Sequence, residues 1–256
     1  MEADLARRFG GVTRLYGEQG AQRLQAAHVC VVGIGGVGSW AAEALARTGV
    51  GEITLIDLDM IAESNTNRQI HALGEAYGKA KVDAMAERIL DINPACRVHR
   101  IEDFVTPKNA QVLMNGGFSC VIDAIDQVRV KVSMIAHCRQ TGVPIITAGA
   151  AGGQLDPTLI RVDDLARTEQ DPLLSKVRSR LRKEHGYTRK PGAKFGIAAV
   201  YSSEPLRYPV AECTTQSVET GLNCAGFGSS VAVTASFGLT AAAYAMRKIA
   251  EKPNPA

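Results

Sequence analysis

His28-Val29-Cys30-Val31-Val32 runs straight into Gly33-Ile34-Gly35-Gly36-Val37-Gly38-Ser39, and this junction decides the fold. A short apolar run that stops at glycine reads as a strand buried on both faces. Ser39 to Arg47 is alanine-rich and stops near Gly49, so it reads as a helix. Between them lies G-x-G-x-x-G in the setting that gives the motif meaning. Its glycines allow a tight turn and let backbone approach a phosphate. The helix start then offers unpaired N–H groups and the positive end of a dipole. Asp57 closes the next strand, Glu52 to Ile56, where a carboxylate can hold ribose hydroxyls. The bland use of such a turn is to pack helix on strand with no ligand.

Working outward, strands and helices alternate. Lys81 to Ile92 has helical spacing and ends at Asn93-Pro94. Arg97 to Ile101 reads as a strand, Pro107 to Met114 as a helix and Cys120 to Ile125 as a strand. Val128 to Gln140 follows as a helix and Val143 to Ala148 as a strand. The expected class is α/β, a mostly parallel twisted sheet with helices on both faces. After Ala150 the pattern becomes irregular: residues 172–185 look helical, Gly196 to Val200 looks like a strand, and Ser202 to Gly226 has no clear period. Residues 1–256 are read as one domain, a nucleotide-binding core over about 8–150 and an extension over about 151–250.

Composition narrows the class. With 46% apolar and 21% charged residues, global disorder and collagen-like repeats are excluded. A net charge of +3 excludes a histone-like protein but permits a local basic patch. The six cysteines form no C-x-x-C pair, which argues against zinc, and several sit in apolar runs as small core residues. No secretory signal is visible, so a cytoplasmic location is expected. Residues 227–246 carry no charge. Seven of these 20 are Gly, Ser or Thr and six are Ala, so a core or interface helix is expected, with peripheral membrane contact left open.

The segment after Asp57 separates a nicotinamide site from a triphosphate site. Asp57-Leu58-Asp59 is followed by Asn65-Thr66-Asn67-Arg68-Gln69 and by Gly78-Lys79-Ala80-Lys81. Attack at an α-phosphate needs cations on the departing pyrophosphate. Arg68 supplies a planar fork and Lys81 a point charge. Asp126 can hold Mg²⁺ on the phosphates. Singly, either cation would be an ordinary surface charge. At the carboxyl ends of successive strands they suit charge that grows in a transition state.

These residues, with Ile92-Asn93-Pro94 and Asp123-Ala124-Ile125-Asp126, resemble the ubiquitin-activating-enzyme-like superfamily, the ThiF/MoeB/HesA family. The resemblance implies a homodimer with one Rossmann-like ATP site per subunit and adenylation of a carboxylate. It implies ATP and Mg²⁺ as ligands, Gly33, Gly35, Gly36, Gly38, Asp57 and Asp59 in the nucleotide cradle, Asn65, Arg68 and Lys81 on phosphates, and Asp126 on the metal. Two departures stand out: the paired C-x-x-C motifs of the sulfur-carrier branch are absent, and the usual Asp-Asn is Asp126-Gln127. The arginine that this branch inserts into its partner's site matches Arg14 only loosely.

The second half, with Gly149-Ala150-Ala151-Gly152-Gly153-Gln154, Asp156-Pro157-Thr158 and Gly226-Phe227-Gly228, is similar to a narrower group, the tRNA threonylcarbamoyladenosine dehydratases. That likeness implies ATP-dependent cyclisation of the threonylcarbamoyl group at position 37 of ANN-decoding tRNA, and a cysteine desulfurase or sulfur acceptor as a partner. Gln154 and Asp156 follow the strand Val143 to Ala148, on the carboxyl side of the sheet where ligands bind, and are read as substrate contacts or merely a turn. Eight Lys or Arg lie between Lys176 and Lys194, opposed only by Glu184. Arg178, Arg182 and Lys183 are the expected phosphate contacts, with Tyr187, Phe195 and Tyr201 as possible stacking platforms. His71 is read as packed rather than catalytic. No covalent enzyme intermediate is expected, and Cys213 and Cys224 are the thiols to test. Two other activities remain open: adenylation of a ubiquitin-like sulfur carrier, and an NAD-binding oxidoreductase.

Overall fold

A computed structural model describes residues 3–208 and 227–251. Seven strands form one sheet: β1 (His28–Val32), β2 (Glu52–Ile56), β3 (Arg97–Ile101), β4 (Cys120–Asp123), β5 (Ile145–Ala148), β6 (Ile160–Asp164) and β7 (Ala198–Ser202). Their order is β3-β2-β1-β4-β5-β7-β6, all parallel except β6, which runs antiparallel to β7. The helices are α1 (Leu5–Ala26), α2 (Gly38–Arg47), α3 (Lys81–Ile92), α4 (Ala110–Leu113), α5 (Val128–Thr141), α6 (Pro172–Glu184) and α7 (Val231–Ala250). One core joins Leu24, Leu45, Met85 and Phe237, from α1, α2, α3 and α7, to one face of the sheet. A second joins Met114, Met134, Leu174 and Leu181 to the other face. The expected α/β class with helices on both faces is therefore the observed one.

Strand order reverses between β1 and β4. In an open parallel sheet, ligands bind at that point, beyond the carboxyl ends of the strands. Gly33 leaves β1 there with φ +86°, and a Cβ on it would lie 3.1 Å from the Ala124 carbonyl oxygen beyond β4. A Cβ on Gly38 would sit 1.8 Å from the Gly33 oxygen. Both glycines are thus needed for the turn itself.

The uncharged stretch 227–246 is accounted for by α7, which packs on α1 and α2 and crosses the sheet. A Cβ at Gly238 would come within 2.2 Å of the Val37 oxygen, so this helix is small-residue-rich because it lies close against the start of α2. Among the described residues no helix is long and apolar enough to cross a membrane.

Three expectations change. The helix expected over 107–114 shortens to Ala110–Leu113, because Thr106 and Asn109 bond each other's backbone and side chains ahead of it. The strand expected to reach Ile125 ends at Asp123, and the one expected over 196–200 shifts to 198–202. Helix α1 and strand β6 have no counterpart in the sequence reading. Helix α1 holds Gly10, Gly11, Gly17 and Gly20, and bends at Gly17 with φ +73°. Strand β6 is a polar edge strand with no fully buried residue, so its sequence carries no alternation.

Candidate active site

A cavity of about 460 Å³ opens over the carboxyl ends of β1, β2 and β4. Its floor is the glycine turn. A Cβ on Gly35 would approach nothing nearer than Gln69 Nε2 at 4.0 Å, so this backbone faces the open cavity. Gly36 differs: its Cβ would meet Arg68 Cγ at 3.1 Å, so the bare backbone makes room for the arginine stem. Gly38 lies beneath the turn and does not line the cavity.

Asp57 is fixed by two backbone donors. The Ile34 N–H bonds its Oδ2 at 2.6 Å and the Asp59 N–H bonds its Oδ1 at 2.9 Å. Burial pushes its carboxyl above the usual range, against the pull of the Lys81 charge. Lys81 opens α3 with its side chain buried, and its Nζ donates to Asp59 Oδ2 at 2.6 Å. A buried ammonium is thus held at the rim by an exposed carboxylate.

Arg68 is braced rather than paired. Its Nη1 donates to the Ser64 oxygen at 2.9 Å and to Asn67 Oδ1 at 2.8 Å, while the Trp40 indole donates to its carbonyl. No carboxylate pairs with it among the described residues. Asn65 also lines the cavity, its Oδ1 accepting the Ala62 N–H at 3.0 Å. Asp126, half-buried on the opposite wall, has no ion pair there either.

Asp57, Asp59, Asn65, Arg68, Lys81 and Asp126 therefore share one cavity with Gly33, Gly35 and Gly36. Two buried polar atoms on its lining, Gln69 Oε1 and Thr234 Oγ1, have no hydrogen-bond partner among the described residues. Buried polar atoms are ordinarily satisfied, so these two suit a polar ligand. An open turn, two cations and a free carboxylate fit a nucleoside triphosphate, and the carboxylate oxygen is a suitable ligand for Mg²⁺.

The residues expected on the substrate side lie elsewhere. Asp156 caps a short 3-10 turn, its Oδ1 accepting from Thr158 N and Oγ1. Gln154 is buried, off the cavity lining, with both amide atoms unpartnered among the described residues. Arg178 donates to Thr168 Oγ1, and Arg182 donates to the Thr188 oxygen and lies over the Phe195 ring. Lys183 is exposed. Tyr187, Phe195 and Tyr201 are buried, so the expected stacking platform is part of the core. Arg14 is exposed on α1, and Cys213 and Cys224 lie outside the described residues. His71 is buried with neither ring nitrogen bonded among the described residues, and burial with the nearby Lys81 and Arg88 lowers its pKa to about 4.

Two features were missed in sequence. Lys131 and Asp123 form a wholly buried ion pair below the cavity; in Val128-Arg129-Val130-Lys131-Val132 the sequence does not tell the buried cation from the exposed Arg129. Tyr208 and Phe227 form a ring pair on the cavity wall, 5.3 Å between centroids, which carries no sequence signal.

The family model described as ThiF family matches residues 9–256. The chain belongs to the ThiF family. This ThiF-family protein is 53% identical over 252 residues to the tRNA threonylcarbamoyladenosine dehydratase of Escherichia coli K12, covering 96% of this chain and 94% of that one. It is 49% identical to the protein of the same name in Haemophilus influenzae, with the same coverage. A crystal structure of the E. coli tRNA N6-threonylcarbamoyladenosine dehydratase in complex with ATP superposes with a TM-score of 0.88 at 52% identity, covering 97% of this chain and 96% of that one. In this ThiF-family protein the observed cavity thus lies in a fold whose close relative takes ATP.

Proposed function

We propose that the protein is an ATP-dependent dehydratase of N6-threonylcarbamoyladenosine at position 37 of tRNA. The observation that carries this reading is the gathering of Arg68, Lys81 and Asp126 around the open Gly35 turn, in a chain alike to the dehydratases over nearly its whole length. A carboxylate cannot lose oxygen to an internal nucleophile at neutral pH unless its leaving group is improved. The threonyl carboxylate attacks the α-phosphate of ATP, and pyrophosphate departs. A carbamoyl nitrogen or oxygen then closes a five-membered ring on the acyl carbonyl, and AMP departs. Water is lost from the nucleoside, and its oxygen leaves in AMP.

Asp57 orients the ribose. Asn65, Arg68 and Lys81 hold the phosphates and take up charge as the pyrophosphate leaves, a role in which one fixed donor is worth ~10²–10³ in rate. Asp126 would hold Mg²⁺, whose contribution is to neutralise phosphate charge. The carbamoyl group sits beside the carboxylate on the same substrate, so ring closure is intramolecular and gains from proximity. The core over about 8–150 and the extension over about 151–250 act as one domain, in support of which β6 and β7 complete the same sheet. A homodimer in the cytoplasm completes the reading.

Mass spectrometry of tRNA nucleosides tests it. Threonylcarbamoylated tRNA incubated with the protein should lose water from that nucleoside only when ATP is present, with AMP formed in equal amount. Water loss without ATP, or AMP formation driven instead by a ubiquitin-like carrier, would refute it.

A further inference from the structure

Helix α6 divides its cations between two destinations. Arg178 and Arg182 turn inward, onto Thr168, Thr188 and Phe195. Lys176 and Arg180 turn outward, onto an open groove of about 960 Å³ that they share with Gln127, Arg129 and Ser179. The groove therefore runs between the start of α5 and the outer face of α6. Its opposing acid is Glu184, 3.3 Å from Arg180. Arg129 and Lys176 have no ion pair among the described residues.

Groove and nucleotide cavity adjoin. Gln127, next to the cavity carboxylate Asp126, lines both. Helix α6 presents Pro172 and Leu173 to the cavity and, one turn on, Lys176 to the groove. Lys176 and Arg180 are four residues apart, about 6 Å along the helix, so both project along one line leading away from the cavity. Cations that stay unpaired in an open groove are placed for an anionic strand, and backbone phosphates supply one without requiring aromatic stacking. The aromatics of this region are already buried in the core.

We propose that this groove, through Arg129, Lys176 and Arg180, holds the sugar–phosphate backbone of the tRNA strand that carries the modified adenosine, and so leads its carboxylate to the cavity mouth at Gln127. The assignment rests on tRNA being the substrate. It differs from a general basic patch because it excludes the inward-turned Arg178 and Arg182.

The test is the double variant R129E/K176E beside R7E/K248E, whose exposed cations lie off the groove. Binding of threonylcarbamoylated tRNA is followed by fluorescence anisotropy across a salt series, with ATP affinity measured separately. R129E/K176E should bind tRNA at least about tenfold more weakly and lower the salt slope by about 2, one for each phosphate that is no longer neutralised. Its ATP affinity should stay within about twofold, and R7E/K248E should bind tRNA nearly as wild type. If R129E/K176E keeps wild-type tRNA affinity and KM while wild-type protein dehydrates the nucleoside, the groove assignment fails alone, and the groove is left to an acidic protein partner. If wild-type protein does not dehydrate tRNA at all, the substrate reading itself fails.

Discussion

The ammonium of Lys131 lies 3.0 Å from Asp123 Oδ1, and both side chains are wholly shut off from water. Lys131 also donates to Thr147 Oγ1 at 3.1 Å and to the Ala148 oxygen at 2.8 Å, while Thr147 Oγ1 donates to Asp123 Oδ2 at 2.7 Å. The pair ties the ends of β4 and β5 together directly below the cavity. Taking one partner away leaves a buried charge with no counterpart, which costs about 3–5 kcal/mol. We expect K131M to lose stability of that order in urea unfolding. A loss below about 1 kcal/mol would mean that Thr147 and the neighbouring backbone satisfy Asp123 without the ammonium.

The glycines of the turn should separate by function. G38A places a Cβ against the Gly33 oxygen and has no room, so the turn must move, with a marked fall in melting temperature. G35A meets no atom closer than 4.0 Å, so the fold should keep its melting temperature while the methyl occupies space facing the cavity. Calorimetry should show weakened ATP binding for G35A at unchanged stability. Equal effects of the two substitutions on stability would contradict this division.

Lys81 and Arg68 answer to different geometry. K81M removes a buried ammonium at the first residue of α3, and AMP formation should fall about 10²–10³-fold. R68K keeps the charge but loses the planar fork braced by Ser64 and Asn67, so a loss is expected although the charge is conserved. Single-turnover AMP formation at saturating ATP measures both. Wild-type rates for R68K would show that charge alone suffices at that position.

His71 sets an acid limit on stability. Burial lowers its folded pKa to about 4 from the usual 6.5, so the unfolded chain binds the proton more readily between those values. Stability from this site is complete above about pH 6.5 and falls by up to about 1.4 kcal/mol per unit as pH drops towards 4. Urea unfolding between pH 7 and 4 should show this slope in wild type and a shallower one in H71N. Parallel profiles would mean that other groups carry the acid dependence.

Much of the molecule could be read from the sequence because its signals are local. A strand that stops at glycine, a helix that starts within a few residues and an acid ending the next strand fix the nucleotide turn after β1, while the sheet order decides that β4 lies on its other side. The same adjacency places Asp57, Arg68, Lys81 and Asp126 at carboxyl ends of neighbouring strands, and all four line the cavity. What tertiary structure alone decided is where the long side chains end. Arg178 and Arg182 alternate with Lys176 and Arg180 on one helix, yet two reach inward contacts and two reach the groove, according to what each face packs against. Lys131 became a buried cation only because β4 and β5 bring Asp123, Thr147 and the Ala148 carbonyl to one point. Periodicity gives the face of an element, but burial of a charge depends on partners far away along the chain, which no local pattern records.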